Sequence, residues 1–213
     1  MTAPRDPHGA SSSGHVFDLP AIYLASASPR RREILTLMRV DHEVLHVPAP
    51  EGEDEPRHEG EPPDDYVRRT AREKAERAVR WLATARPGDT RPVLAADTTV
   101  ILDGDILGKP IDEADARRML ARLSGRTHAV HTAVVLAYEG ALIEDVSMTD
   151  VRFRALTRGD IEAYCATGEP MGKAGAYGIQ GPAGMFVECL HGSYTGVMGL
   201  PMFETARLLQ SIC

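Results

Sequence analysis

The chain has 213 residues, of which 43% are hydrophobic and 26% charged; this suits a folded domain with a sizeable core and excludes a disordered polyelectrolyte. Its 24 lysines and arginines are outnumbered by 31 aspartates and glutamates, for a net charge of −7. Such a chain is not built to coat nucleic acid by bulk attraction, so any polyanionic partner must be met by a local group of cations or by a metal.

Residues 1–18 are rich in Pro, Gly, Ser and His and lack the apolar segment of a signal peptide, so they read as a mobile tail ahead of one domain over residues 19–213. Residues 21–25 (AIYLA) read as a buried strand. Ser28 and Pro29 then suit the cap and first position of a helix over residues 30–38. A second strand is expected at 42–47, and an acidic, Pro-rich loop at 48–63. Apolar residues recur at helical spacing over 64–85 (Val67, Ala71, Ala75, Ala78, Val79, Leu82). The β-branched run PVLAADTTVIL predicts a strand over 92–102, with Asp103-Gly104 at a hairpin turn. Next come a helix at 112–123, long paired strands at 129–138 and 141–153, and a helix at 157–167 capped by Thr157. A glycine-rich loop at 168–184, a strand at 185–190 and a closing helix at 201–212 complete the chain. Mixed crossovers and hairpins predict an α/β fold around a mixed sheet. No apolar run approaches ~18 residues, so no membrane span is expected. Cys165, Cys189 and Cys213 form no disulfide or zinc spacing, which suits a reducing, cytoplasmic compartment.

Four segments carry chemistry. Ser26-Ala27-Ser28-Pro29-Arg30-Arg31 places hydroxyls and arginines at a helix start, where free N–H groups and the helix dipole favour phosphate. Arginine opposes that dipole, so its presence there argues for a ligand rather than for stability. Asp97 interrupts an otherwise apolar strand, and a carboxylate buried in that way must be paired or metal-bound. It is a candidate base or metal ligand, and Thr98 should point to the other face of the strand. Lys109 is fixed between Gly108 and Pro110. Lys173, Tyr177 and Gln180 stand in a glycine-rich run that permits close backbone approach to a ligand, where they could read phosphate, ring and base edge. His128 and His131 should face opposite sides of a strand and make a poor metal pair. Ser124 reads as a helix stop, and no P-loop is present.

The stretches LASASPRRREIL, YVRRTAREKA, AADTTVILDGDILGKP, ARRMLARLSGRTHAVHTAV, KAGAYGIQG and GSYTGVMGLP, in this order, resemble the Maf family of nucleotide pyrophosphatases and span nearly everything from residue 23 to residue 209. The resemblance implies an elongated, ITPase-like mixed α/β structure with a cleft between two lobes. It implies hydrolysis between the α- and β-phosphates of a nucleoside triphosphate, with a divalent cation (Mg²⁺ or Mn²⁺) and homodimer formation. By residue matching, Asp97 takes the catalytic acidic position, and Ser26, Arg30, Arg31, Lys74, Lys109 and Lys173 take the substrate-binding positions. Arg30, Thr98 and Gln180 match the specificity positions of the dTTP/UTP branch. The alternatives are a branch preferring 7-methyl-GTP and a non-catalytic, nucleotide-binding regulator of cell division. Neither a nucleic acid nor a membrane is implied as a partner. Two departures stand out. Gly172 replaces an aspartate common beside the matching lysine, and the acidic residue ahead of the second helix has two candidates, Glu51 and Glu53.

Overall fold

The computed structural model describes residues 18–48 and 55–213. The tail expected over residues 1–18 lies outside them except for Asp18. Among the described residues seven strands form one mixed sheet: β1 (Ile22–Leu24), β2 (His42–Val44), β3 (Val93–Leu102), β4 (Asp105–Leu107), β5 (Thr127–Tyr138), β6 (Ala141–Phe153) and β7 (Val187–His191). Their spatial order is β2-β1-β3-β5-β6-β7, with β4 beside the end of β3. β1 pairs in parallel with β2 and β3, and the other pairings are antiparallel. The helices are α1 (Pro29–Leu37), α2 (Pro63–Ala85), α3 (Glu113–Leu123), α4 (Arg158–Cys165), α5 (Tyr194–Met198) and α6 (Met202–Gln210).

Alternation along β3 assigns its residues to two layers. Val93 and Ala95 face α2, whose Val67, Ala71, Ala75 and Ala78 present a smooth small-residue stripe that lets the helix lie close to the sheet. Leu94 and Ala96 face the other way, onto Ile34 and Leu35 of α1 and Leu208 and Leu209 of α6. Each such fully buried leucine or isoleucine contributes about 2 kcal/mol relative to exposure. A third cluster closes the far end of the sheet, where α3 and α4, the latter through Tyr164, pack with Phe153, Tyr177 and Phe186.

One feature of the sheet creates a cleft. β1 pairs with β3 only at Val93 and Leu94, and β4 pairs with it only from Val100 to Leu102. Between these points residues 95–99 have β5 on one side and, among the described residues, no strand on the other. Side chains from both faces of β3 therefore reach the same opening. The Asp103-Gly104 turn that brings β4 back has positive φ at both residues (55° and 85°), the geometry favoured in two-residue hairpins.

Several expectations are revised. Ser28 stands at the N-cap of α1 but makes no side-chain cap bond; instead the Ser26 hydroxyl accepts its N–H at 3.2 Å. Thr157 does cap α4, in a reciprocal box with Asp160. The loop expected over 168–184 contains 3-10 turns at Ala174–Ala176 and Pro182–Phe186, and β7 begins two residues later than expected. The hairpin expected at Asp103-Gly104 forms, with β4 as its short return strand, whereas α5, five residues long, was not expected.

Candidate active site

The opening beside β3 leads into a cleft of about 680 Å³, within the range of small-molecule sites. Its lining brings together every described residue singled out from the sequence: Ser26, Arg30, Arg31, Lys74, Asp97, Thr98, Lys109, Lys173 and Gln180. Among the described residues, six lysines and arginines line it against two carboxylates, so this part of the lining is cationic within a chain of net charge −7. That is the local concentration a polyanion requires.

Asp97 lies at the centre, only 5% exposed. Its Oδ1 accepts from the Lys74 ammonium at 2.6 Å and its Oδ2 from the Thr70 hydroxyl at 2.9 Å. Thr70 and Lys74 lie one turn apart on α2, on the face turned to β3. Burial pushes the Asp97 carboxyl upward, but the Lys74 charge and hydrogen bond, the Arg31 charge and the Thr70 hydroxyl together outweigh it and hold the group below its ordinary value. Asp97 is therefore an ionised carboxylate despite its burial.

Glu55 is the second carboxylate. It contacts the Lys74 ammonium directly and lies 3.8 Å from Lys109 Nζ. The sequence candidates Glu51 and Glu53 lie outside the described residues, and Glu55 stands two residues beyond Glu53 in the same acidic loop. Tyr66 donates to the Glu55 backbone carbonyl at 3.2 Å; burial first, then Asp97 and Glu55, push its hydroxyl up to about 12, so it stays protonated.

On the opposite face of β3, the Arg31 guanidinium donates to the Gly199 carbonyl at 2.7 Å, to Ser26 Oγ at 3.0 Å and to Thr98 Oγ1 at 3.5 Å. Burial lowers the Arg31 pKa, and the charges of Asp97 and Glu55 counter it. Thr132 donates to the Gly196 carbonyl at 2.8 Å, so in its 3.0 Å contact with Thr98 it must accept. Arg31, Thr98, Thr132 and the Gly196 carbonyl thus form a directed chain from α1 to α5. Arg30 Nε donates to the Met198 carbonyl at 3.3 Å. With no acidic residue in its first turn and no side-chain cap, α1 leaves N–H groups free at the cleft.

At the far rim, Gly172, Lys173 and Gln180 line the cleft, with Gly172 and Gln180 exposed and Lys173 half-buried. Gly172 has φ of 71° and nothing within 4 Å of where a Cβ would stand, so the absent aspartate leaves open space. The carboxylate that does meet Lys173 is that of Glu169, at 3.2 Å. Tyr177 departs from expectation. Its ring packs edge-on against Phe153 and its hydroxyl bonds His128 Nε2 at 2.8 Å, so it is committed to the core and is not free to stack on a base. His131 pairs instead with Asp64, on the opposite face of β5 from His128, as the alternation predicted.

The donor set fits a hard divalent cation in one respect. Two carboxylates, Asp97 and Glu55, converge on a single positive centre, the Lys74 ammonium. Among the described residues no group of three or more His, Cys, Asp or Glu side chains is placed to hold a metal alone, so the remaining ligands would be water and substrate oxygens, as magnesium sites commonly use. No helix among the described residues is long and apolar enough to cross a membrane.

A mixed α/β sheet opened at one strand edge onto a cation-lined cleft with a buried, ionised aspartate defines a protein built to receive a small polyanion. The chain belongs to the Maf family: the family model described as Maf-like protein matches residues 21–212. Among its relatives, the dTTP/UTP pyrophosphatase of Bordetella parapertussis is 64% identical over 194 residues, covering 91% of this chain and 93% of the relative. Proteins of the same name from Bordetella avium and Cupriavidus metallidurans are 61% and 52% identical, over 90% and 89% of this chain and 94% and 95% of their own lengths.

Proposed function

We propose that this protein hydrolyses dTTP and UTP to the nucleoside monophosphate and pyrophosphate, with Asp97 as the catalytic carboxylate. The observation that carries this reading is the meeting of Asp97 with Arg30, Arg31, Lys74, Lys109 and Lys173 in one cleft. The substrate assignment draws on the relatives named dTTP/UTP pyrophosphatase, at up to 64% identity over most of the chain.

In this reading a water oxygen bonds to the α-phosphorus while the bond to the bridging oxygen breaks, and pyrophosphate leaves with the electron pair. Asp97, ionised and gripped by Thr70 and Lys74, orients the water and takes up its proton as the new bond forms. Its depressed pKa makes it a weak base in the empty cleft, so its fixed charge matters first. Arg30, Arg31, Lys109 and Lys173, with the free N–H groups of α1, hold phosphate oxygens and spread the charge of the leaving group. Asp97 and Glu55 would hold a divalent cation, Mg²⁺ or Mn²⁺ for such oxygen donors. When bound, that cation neutralises phosphate charge, polarises the phosphoryl group and acidifies water. Ser26 and Thr98 keep the Arg31 fork in place. The exposed Gln180 amide offers a donor and an acceptor, matching the carbonyl and N–H edge of uracil or thymine.

A panel of dTTP, UTP, CTP, GTP and 7-methyl-GTP, assayed for monophosphate and pyrophosphate with and without chelator, tests the reading. dTTP and UTP should be cleaved at least ~10-fold faster than the others, since a site shaped to hydrogen-bond one base edge leaves polar groups unpaired with another. Chelator should stop the reaction. Preference for 7-methyl-GTP, or no turnover of any nucleotide, would overturn it.

A further inference from the structure

We propose that Glu169 is a positioning residue that aims Lys173 at the substrate phosphates. This rests on the role given to Lys173 above. Glu169 does not line the cleft; it acts from behind. It follows α4 in a turn where the Thr167 hydroxyl accepts its N–H at 3.1 Å. The Lys173 ammonium donates to the Glu169 backbone carbonyl and lies 3.2 Å from Glu169 Oε2. An ammonium has three donors. The Glu169 carbonyl takes one of them and the Glu169 carboxylate holds the ammonium by charge from the same side, which leaves donors for the cleft.

The contrast with Lys109 shows what this achieves. The Lys109 side chain is 61% exposed and lies 3.8 Å from the Glu55 carboxylate, the nearest among the described residues, whereas the Lys173 side chain is only 15% exposed. The backbone closes around the Glu169–Lys173 pair. A Cβ at Gly178 would stand 3.2 Å from both Cδ and Cε of Lys173, and one at Gly181 would stand 3.3 Å from Glu169 Oε2. The Gly178 position is also 3.5 Å from Gln180 Nε2, so the surface that seats the lysine stem bounds the base-reading amide as well. Stability does not account for the arrangement. The Glu169 side chain is 41% exposed, and an ion pair of that kind adds little to folding. What Glu169 removes is the freedom of a long, flexible cation at the point where phosphate must be met.

The test is a double-mutant cycle on dTTP cleavage, with wild type, Glu169→Ala, Glu169→Gln, Lys173→Met and the Glu169→Ala/Lys173→Met pair. Glu169→Ala should lower kcat/KM about tenfold, the scale of a misdirected contact group. Its thermal midpoint should stay within about 2 °C of wild type, as expected for a partly exposed pair. Glu169→Gln, which keeps an acceptor oxygen, should recover most of the loss. The paired variant should be no slower than Lys173→Met alone. An impaired Lys173→Met beside an unimpaired Glu169→Ala would overturn this inference alone, as would a Glu169→Ala loss that persists in the Lys173→Met background. Full activity in Lys173→Met would remove Lys173 from the reaction and this inference with it.

Discussion

Asp97 and His128 are buried polar side chains on adjacent strands of one sheet, 5% and 2% exposed. His128 sits among Phe153 and Tyr177, makes one hydrogen bond through Nε2, and leaves Nδ1 buried without a hydrogen-bond partner. With nothing to oppose it, burial pushes the imidazole down to about 4, so the ring is neutral. Asp97 meets the same penalty, but an ammonium, a guanidinium and a hydroxyl overcome it and keep the group charged. The two also differ in what lies beside their strands. At Asp97 β3 has a bare edge that opens on the cleft, so the charge can be reached, whereas at His128 β5 pairs with β6 and the ring is covered by Phe153 and Tyr177. Burial of a polar group does not by itself make a site. Opposite charges must converge on it, and an open strand edge must admit the ligand.

Substitutions at the two positions should therefore behave differently. Asp97→Asn keeps size and shape and removes the charge; turnover of dTTP should fall ~10³-fold or more, the scale set by removing a central electrostatic group, while the thermal midpoint moves by only a few degrees. Lys74→Met should reduce turnover ~10²-fold and also cost about 3 kcal/mol in urea unfolding, because it strands a buried carboxylate. At His128 the expected effect lies in stability rather than catalysis. Its folded pKa is lowered from 6.5 to about 4, so the unfolded chain takes up the proton first. The associated stability is present above 6.5 and is lost as pH falls toward 4, by about 3 kcal/mol across that window. His128→Gln should lack this share of the slope when unfolding is compared at pH 7 and pH 4.5, with dTTP turnover at pH 7 within about threefold of wild type. The smallest effect is expected at Gly172→Asp. Space is open there, and aspartate tolerates a positive φ at a cost of about 1 kcal/mol, so kcat should change less than about threefold.

Much of this was legible in the sequence. The strand, the basic helix start and the aspartate within an apolar run all advertise themselves locally, and the matching stretches placed Lys74, Lys109, Lys173 and Gln180 beside them. What was not legible depends on tertiary context. Thr70 reads as one more residue on a helix face until Asp97 is known to lie opposite. Glu55 belongs to an acidic loop with no periodicity to rank its carboxylates. Tyr177 looks available in a glycine-rich run, and only the packing of Phe153 and His128 shows it committed to the core. β4 and α5 are too short for a periodic signal, and Gly196 in the middle of α5 further disguises it.

The most direct test is ³¹P NMR of dTTP incubated with magnesium and either the wild-type protein or Asp97→Asn. The account predicts dTMP and pyrophosphate in equal amounts from the wild type and next to no conversion by the variant. Products of dTDP and orthophosphate, or equal conversion by the two proteins, would contradict it.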